Sequence, residues 1–407
     1  MSRSIEDYRR RLLLQAGLLG GAALAAPAWA QQTVDLGFPG GNGTRTLTND
    51  FPDKQEMILQ RTRPPLLETP MEVFNQGVFT PNDRFFVRWH WAVIPTSVDV
   101  TTYRLNVHGN VGHPLSLSLS DLLAMPRVQL AAVNQCSGNS RGLFQPRVPG
   151  GQWRHGAMGN AKWMGVSLRH VLDMAGVKPG SVFVRFSGLD QPVVADGPKF
   201  QKSLAIDHAR DGEVMIAFAM NGAQLPLLNG FPLRLIVPGW YSTYWMKMLN
   251  DIEVLDRPDD HFWMAKAYTI PDTPFANVSP TATNFPTVPI NKMIPRAWIT
   301  SQADGATVAF QPSLPVGGIA MGGDAGVAKV ELSTDGGRGW TPASLGPDQG
   351  KYGFRRFAGA VRVSGRGPMA LMARCTNTAG VTQPMTANWN PGGFMRGCVE
   401  TTHVVLG

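Results

Sequence analysis

Glycine and proline set the first limit on this chain. With 45 Gly and 32 Pro among 407 residues, few stretches run far without a breaker, so short strands joined by turns are expected and an all-helical bundle is not. Charged residues make up only 16% of the sequence, which also argues against long salt-bridged helices. The apolar fraction of 43%, with no long charge block or low-complexity tract, describes a globular protein long enough for two or three domains. The three cysteines, Cys136, Cys375 and Cys398, are too few and too scattered for a disulfide framework, a four-thiolate zinc site or an iron-sulfur cluster. No Cys-x-x-Cys-His occurs, so the chain is expected to carry no covalent haem. Cys375 and Cys398 both fall near the C-terminus, and sequence does not fix whether they are within bridging distance.

The N-terminus reads as an address. Arg9-Arg10-Arg11-Leu12-Leu13-Leu14 leads into an Ala/Gly-rich apolar run ending at Ala28-Trp29-Ala30, a small-residue cleavage pattern for residues 1–30. The paired arginines are of the twin-arginine type, used for export of proteins already folded around a cofactor, so a periplasmic location is expected; the general secretory route is the alternative. The run is too short and glycine-rich for a membrane span. These thirty residues carry four Arg and two acids, so their removal lowers the formal charge from +8 to +6. The remaining excess suits anionic partners, but no basic stripe with interleaved aromatics points to nucleic acid.

Along the mature chain the texture changes once. Strand-forming runs at Phe85 to Trp91, Tyr103 to His108, Val128 to Asn134, Val182 to Phe186, Met215 to Met220 and Leu233 to Val237 accompany a helix beginning after Ser167 and stopping at Gly176. This is an α+β pattern, placed at residues 45–285. A Pro/Thr/Asn-rich stretch from Phe275 to Pro295 has no sustained period and reads as a linker. Beyond it, in Val327 to Ser333, the polar Lys329, Glu331 and Ser333 alternate with Ala328, Val330 and Leu332, and Asp335-Gly336-Gly337 makes a turn. With further strands at Ala360 to Val363 and Met369 to Asn377, residues 296–407 read as an all-β sandwich.

Nucleotide-binding glycine loops and the His-Glu-x-x-His zinc motif are missing from the sequence. Gly138-Asn139-Ser140-Arg141-Gly142 matches a nucleophile elbow, but an elbow needs a helix right after its serine, and Pro146, Pro149, Gly150 and Gly151 follow instead. Centred on Cys136, the same stretch reads differently. The thiol would project from a strand end, where it is either an inert buried cysteine or, with Arg141 favouring the thiolate, a ligand for a soft metal.

Four motifs in order, Phe86-Val87-Arg88-Trp89-His90, Asn134-Gln135-Cys136-Ser137-Gly138-Asn139-Ser140-Arg141, Asn229-Gly230-Phe231-Pro232-Leu233-Arg234 and Ser333-Thr334-Asp335-Gly336-Gly337-x-x-Trp340, resemble the sulfite oxidase family of molybdenum enzymes. The resemblance implies a molybdopterin-binding α+β domain followed by an immunoglobulin-like domain often used for dimerisation, which makes a homodimer one assembly to expect. It implies Cys136 as the molybdenum ligand; His90, Trp89, Asp190, Asn229, Arg234, Trp245, Met246 and Lys247 around the pterin; and Arg88, Arg141 and Tyr268 at the substrate. Trp89 stands where relatives often have Asn, and Asn229 where they have His. The activity implied is oxidation of sulfite to sulfate, with a separate cytochrome c or haem c subunit as acceptor. A molybdenum reductase of the same fold, acting on sulfoxides, is one rival. A cofactor-free exported binding protein is another, against which the intact Cys136 motif counts.

Overall fold

The computed structural model describes residues 32–407, and the export segment expected at residues 1–30 lies outside the described residues. Short strands dominate, and the longest described helix is Leu168–Ala175, closed by Gly176 in the left-handed region at φ 65°. Ser167 precedes it without a side-chain cap.

Described strands begin before the expected domain edge at residue 45. Thr33–Asp35 pairs antiparallel with Thr44–Thr48, opening a five-stranded sheet that runs through Met57–Arg61 and Leu66–Glu68 to Val87–Arg88. The run from Phe85 to Trp91 is therefore a strand for two residues only. Phe85, Phe86 and Val87 are all buried, so the segment lacks the in-and-out alternation of a half-buried strand. A second sheet places Leu249–Leu255 parallel to Leu105–Gly109, flanked by Phe183–Gly188, Gln201–Ala205 and Leu115–Leu117. A third is built from Arg127–Gln135, Met158–Ser167 and Met215–Met220, with Arg234–Ile236 joined to the last. It carries the Cys136 motif at the end of its strand Arg127–Gln135.

In the C-terminal domain two sheets pack face to face. One is ordered Arg296–Ile299, Ser313–Met321, Arg355–Arg362, Ser344–Leu345; the other contains Gly367–Asn377 between Thr401–Leu406 and Val327–Ser333. Val316, Val330, Leu332, Leu371 and Val404 meet in the buried layer between them, each apolar side chain contributing about 1.5 to 3 kcal/mol. The alternation read in Val327–Ser333 is broken at one end, because a bulge between Val327 and Lys329 leaves Ala328 exposed. Cys375 and Cys398 are free and buried; burial pushes both thiols up, to about 12 and about 11.

The stretch from Phe275 to Pro295 is packed chain and not an open linker. Thr287–Pro289 pairs back onto Thr269–Pro271, while Ala276, Ile290 and Met293 join an apolar cluster that includes Val133 and Met158 of the first domain and Trp298, Ile319 and Phe354 of the second. The two domains thus share a core. They also share a polar seam. Arg396 donates to both carboxylate oxygens of Glu400, at 2.9 and 3.1 Å, and Arg296 Nη2 adds a third contact at 3.3 Å. Arg296 Nη2 also donates to Ser140 Oγ at 3.1 Å, and Ser140 lies 2.9 Å from His155 Nδ1.

Acid should open this seam in two stages. Burial, chiefly, holds His155 down to about 3 from 6.5, so its unfolded form takes up a proton first and stability falls below about pH 6.5. Burial disfavours the Glu400 carboxylate, but Arg396, then His155 and Arg296, outweigh it and hold the group near 2 against 4.5. Its contribution is present above pH 4.5 and lost as pH falls toward 2. Glu400→Gln should cost about 3 to 5 kcal/mol at neutral pH, since it leaves the buried Arg296 and the half-buried Arg396 uncompensated, and should remove the lower stage from a melting-temperature profile against pH.

Candidate active site

Cys136 sits where the strand Arg127–Gln135 runs out. Its amide still continues the ladder, donating to Ala157 O at 2.9 Å, and the chain then turns through Asn139 N to Cys136 O at 2.9 Å and Arg141 N to Gly138 O at 3.0 Å. Ser140 takes a left-handed conformation at φ 69°. The serine of the elbow match is fully buried and spent on His155 and Arg296, so no substrate reaches it and it is no nucleophile.

The turn places Cys136 on the wall of a cavity shared with Arg88, His90, Asn229, Arg234, Trp245, Lys247 and Tyr268. These residues come from four separate parts of the chain. Among the described residues no group of His, Cys, Asp or Glu is arranged to hold a metal, so a metal bound at the single Cys136 thiolate must bring its other ligands with it. The lining fits an anionic group that does so. Arg88 Nη1, Asn134 Nδ2, Ser137 Oγ, Arg234 Nε and Thr243 Oγ1 are buried polar atoms without a partner, and all five residues line the cavity. Such orphans cost about 1 to 3 kcal/mol each until a ligand satisfies them. Burial also depresses the cations, Arg234 to about 9 and Lys247 to about 7; bound negative charge would reverse that.

Three of the residues expected at the pterin stand back from the cavity. Trp89 is buried, with Nε1 donating to Leu228 O at 3.1 Å, and its ring lies 4.3 Å from Lys247 Nζ. Asp190, also buried, favours the charge of Lys247. Both therefore act on Lys247 rather than on a ligand. Met246 is in the apolar core, its carbonyl accepting from Leu235 N. Asn229 is on the wall, but its side chain is committed: Oδ1 accepts from Lys54 Nζ at 2.5 Å and Nδ2 donates to Phe86 O at 3.1 Å. In place of a ring donor, this chain has an amide that pegs the Phe86 to Arg88 segment.

Lys54 had no signal in sequence. It is buried and also donates to Asn82 O and Phe85 O at 2.6 and 3.0 Å, and burial lowers it to about 7. Ser242, Thr243 and Phe200 were equally silent, although they too line the cavity; only folding brings them there.

Among the residues expected at the substrate, Tyr268 takes a left-handed φ of 60° and its hydroxyl lies 2.6 Å from His90 Nε2. Burial, then Arg88, Lys247 and Lys202, keeps His90 well below its usual value, while burial raises Tyr268. The contact is accordingly a hydrogen bond between a neutral imidazole and a protonated phenol. Phe200 stacks on His90 at 3.5 Å and 17°, and Phe394 of the second domain stacks on Tyr268 at 5.3 Å and 18°. Arg141, expected beside Arg88, turns its guanidinium to the Gly392 carbonyl of the same second-domain loop, with Nη2 at 3.0 Å.

Comparison with known proteins gives the same reading from a different direction. Residues 91–263 match the model of the oxidoreductase molybdopterin binding domain, and residues 287–404 that of the Mo-co oxidoreductase dimerisation domain. Sulfite oxidase of Gallus gallus is 31% identical over 371 residues, covering 86% of this chain and 78% of that protein. Mitochondrial sulfite oxidase of Mus musculus is 32% identical over 362 residues and 84% of this chain, which spans 64% of that protein's length. The Arabidopsis thaliana enzyme is 26% identical over 400 residues, 91% of this chain and 98% of its own length. In fold, the chain superposes on the sulfane dehydrogenase SoxCD of Paracoccus pantotrophus with a TM-score of 0.70 over 95% of this chain and 93% of that one, at 23% identity. With both domain models matched in order and a relative 31% identical over 86% of this chain's length, the chain belongs to the sulfite oxidase family.

Proposed function

We propose that the chain oxidises sulfite to sulfate with a molybdenum-molybdopterin cofactor and passes the electrons singly to a cytochrome c, either free or as a haem c subunit. The observation that carries this reading is the convergence of Cys136, the unpartnered Arg88 Nη1 and the orphaned donors of Arg234, Asn134 and Thr243 on one cavity. Cys136 would ligate the metal, and Arg234, Lys247, Asn134 and Thr243 would hold the anionic pterin. When bound, that group supplies the oxygen-atom transfer and takes up the two electrons of the balance, sulfite and water giving sulfate, two protons and two electrons.

The chain's own residues do the rest. Arg88 offers charge-assisted donors to a small oxyanion and so fixes its orientation. The Tyr268 hydroxyl, 2.6 Å from His90 Nε2, would hydrogen-bond the substrate and assist the coupled proton movement. The Phe200 ring stacked on His90 and the Trp263 ring at 5.2 Å keep bulk water from that hydrogen bond.

Cys136→Ser should cut sulfite oxidation to background while leaving the melting temperature within a few degrees, because the cationic wall is untouched. Sulfite-dependent reduction of cytochrome c by the purified, cofactor-loaded protein is the assay; near-normal activity with molybdenum still bound would remove Cys136 as the ligand.

The net positive charge supports electrostatic docking of the acceptor. Turnover with cytochrome c should then fall as ionic strength rises through 0.1 M, where screening acts over about 10 Å, whereas turnover with ferricyanide should respond differently. A flat salt profile would point to apolar docking or a permanent haem subunit.

The N-terminal arginines support a periplasmic enzyme exported folded. Replacing Arg9 and Arg10 with Lys should retain cofactor-loaded protein in the cytoplasm, which fractionation and activity staining would reveal. Undiminished periplasmic activity would assign the general secretory route.

A further inference from the structure

A lysine stands where the strand pattern calls for an apolar side chain. Alternate residues of a strand share a face, so Lys202 of Gln201–Ala205 is in line with Phe200 and Leu204, and like them it is buried, with 0% of its surface exposed. Phe186 is its partner across the strand pair. Burial lowers the ammonium to about 7 against the pull of Asp259. That carboxylate is already committed to Arg185 Nη2 at 2.6 Å, Arg185 Nε at 3.2 Å and His261 N at 3.1 Å.

One carbonyl and two aromatic rings meet the charge of Lys202 instead. Its Nζ donates to Trp263 O at 2.7 Å and lies 4.6 Å from the centre of the Tyr244 ring and 5.7 Å from that of Tyr268. These contacts bracket one segment of chain. Trp263 belongs to the short helix Phe262–Ala265, and its ring stands 5.2 Å from His90. The chain then reaches Tyr268, which turns left-handed at φ 60° and brings its hydroxyl within 2.6 Å of His90 Nε2. A tyrosine persists in that region only where its surroundings hold it there. Tyr244 closes the bracket from the other side: its hydroxyl donates to Ile290 O at 2.6 Å, and Ile290 N donates to Tyr268 O at 2.9 Å. Lys202 itself is not on the cavity wall, so it can influence a bound substrate only through these neighbours.

We propose that Lys202 is a positioning residue, a buried cation that ties Trp263 to Tyr268 and thereby keeps the Tyr268 hydroxyl on His90. Its effect on turnover rests on the sulfite-oxidising reading, whereas its effect on the Tyr268–His90 contact does not.

The test uses the cofactor-loaded full chain and three measurements: sulfite kinetics with ferricyanide, molybdenum content, and crystal structures of the variants. Lys202→Met keeps the length of the stem and removes the charge. It should lower kcat by about 10-fold or more, the worth of a charge-assisted hydrogen bond, with KM within about 3-fold and molybdenum content unchanged. Its structure should show the Tyr268–His90 contact opened beyond about 3.5 Å, the limit of a hydrogen bond. Lys202→Gln, which keeps a donor for the Trp263 carbonyl without the charge, should recover part of kcat, and it takes the place of Lys202→Met should that variant not accumulate. Because Lys202 acts through the Tyr268 hydroxyl, Lys202→Met should change kcat by less than about 2-fold in a Tyr268→Phe background. Losses that multiply in the double variant, a loss that follows molybdenum content or falls on KM, an unchanged kcat, or a Tyr268–His90 contact left intact in the variant structures would each overturn the assignment. An unaltered protein without sulfite turnover, whose Tyr268 still leaves His90 when Lys202 is replaced, would instead reject the sulfite reading and leave the role of Lys202 standing.

Discussion

Burying cations without a carboxylate in salt-bridge contact is the constraint on which the rest of this structure depends. Arg234 is held by Asn229 O and Asn134 Oδ1 and by the faces of Trp163 and Trp245. Lys247 is held by Arg88 O and the Trp89 ring, and Lys54 by two carbonyls and an amide oxygen. Each removes a charge from water at an effective cost of several kcal/mol, and neutral dipoles offset only part of it. A polyanionic ligand would offset the remainder, so the cavity is a source of instability that such a ligand would relieve. The scaffold must therefore be rigid around a site that repels itself, which accounts for the fully buried Trp89, Trp163 and Trp245 packed about it.

The second domain contributes to that rigidity directly. Its Gly392, Phe394 and Met395 touch the Cys136 loop or Tyr268, and its Arg296 and Glu400 lead into the Ser140–His155 pair. A sandwich whose matching family is named for dimerisation is here also a wall behind the Cys136 turn and Tyr268. The shared apolar cluster around Ile290 and Met293 keeps the wall in register, because the two halves cannot separate without exposing it.

Much of the core was legible in sequence because it repeats a period. Met215–Met220 and Arg127–Gln135 lie where apolar runs placed them, and Gly176 ends its helix where the pattern stops. The position of Cys136 was legible for a different reason: a thiol at the end of an apolar strand, followed by small and cationic residues, is an unusual juxtaposition that survives as a local motif, and the strand does end there. Expectations failed where side chains answer to distant parts of the chain. Phe85 to Trp91 has strand composition but pairs for two residues, because its consecutive buried rings and Arg88 serve the core and the cavity. Proline and threonine made Phe275 to Pro295 look open, yet a few apolar residues suffice to bury it.

By itself the sequence determined the two textures of the chain, the α+β and sandwich architectures that follow from them, and the residue types brought to the chemistry, since periodicity and short motifs are properties of neighbours along the chain. Only the tertiary structure decided which of those residues face the cavity. It sets Arg88 open to a ligand and Arg141 against the Gly392 carbonyl, moves Trp89 and Asp190 behind Lys247, and recruits Lys54 to hold Asn229 across 175 positions of chain. The physical reason is that a hydrogen bond or a desolvated charge depends on distance in space, and partners so far apart in sequence leave no pattern until the chain has folded.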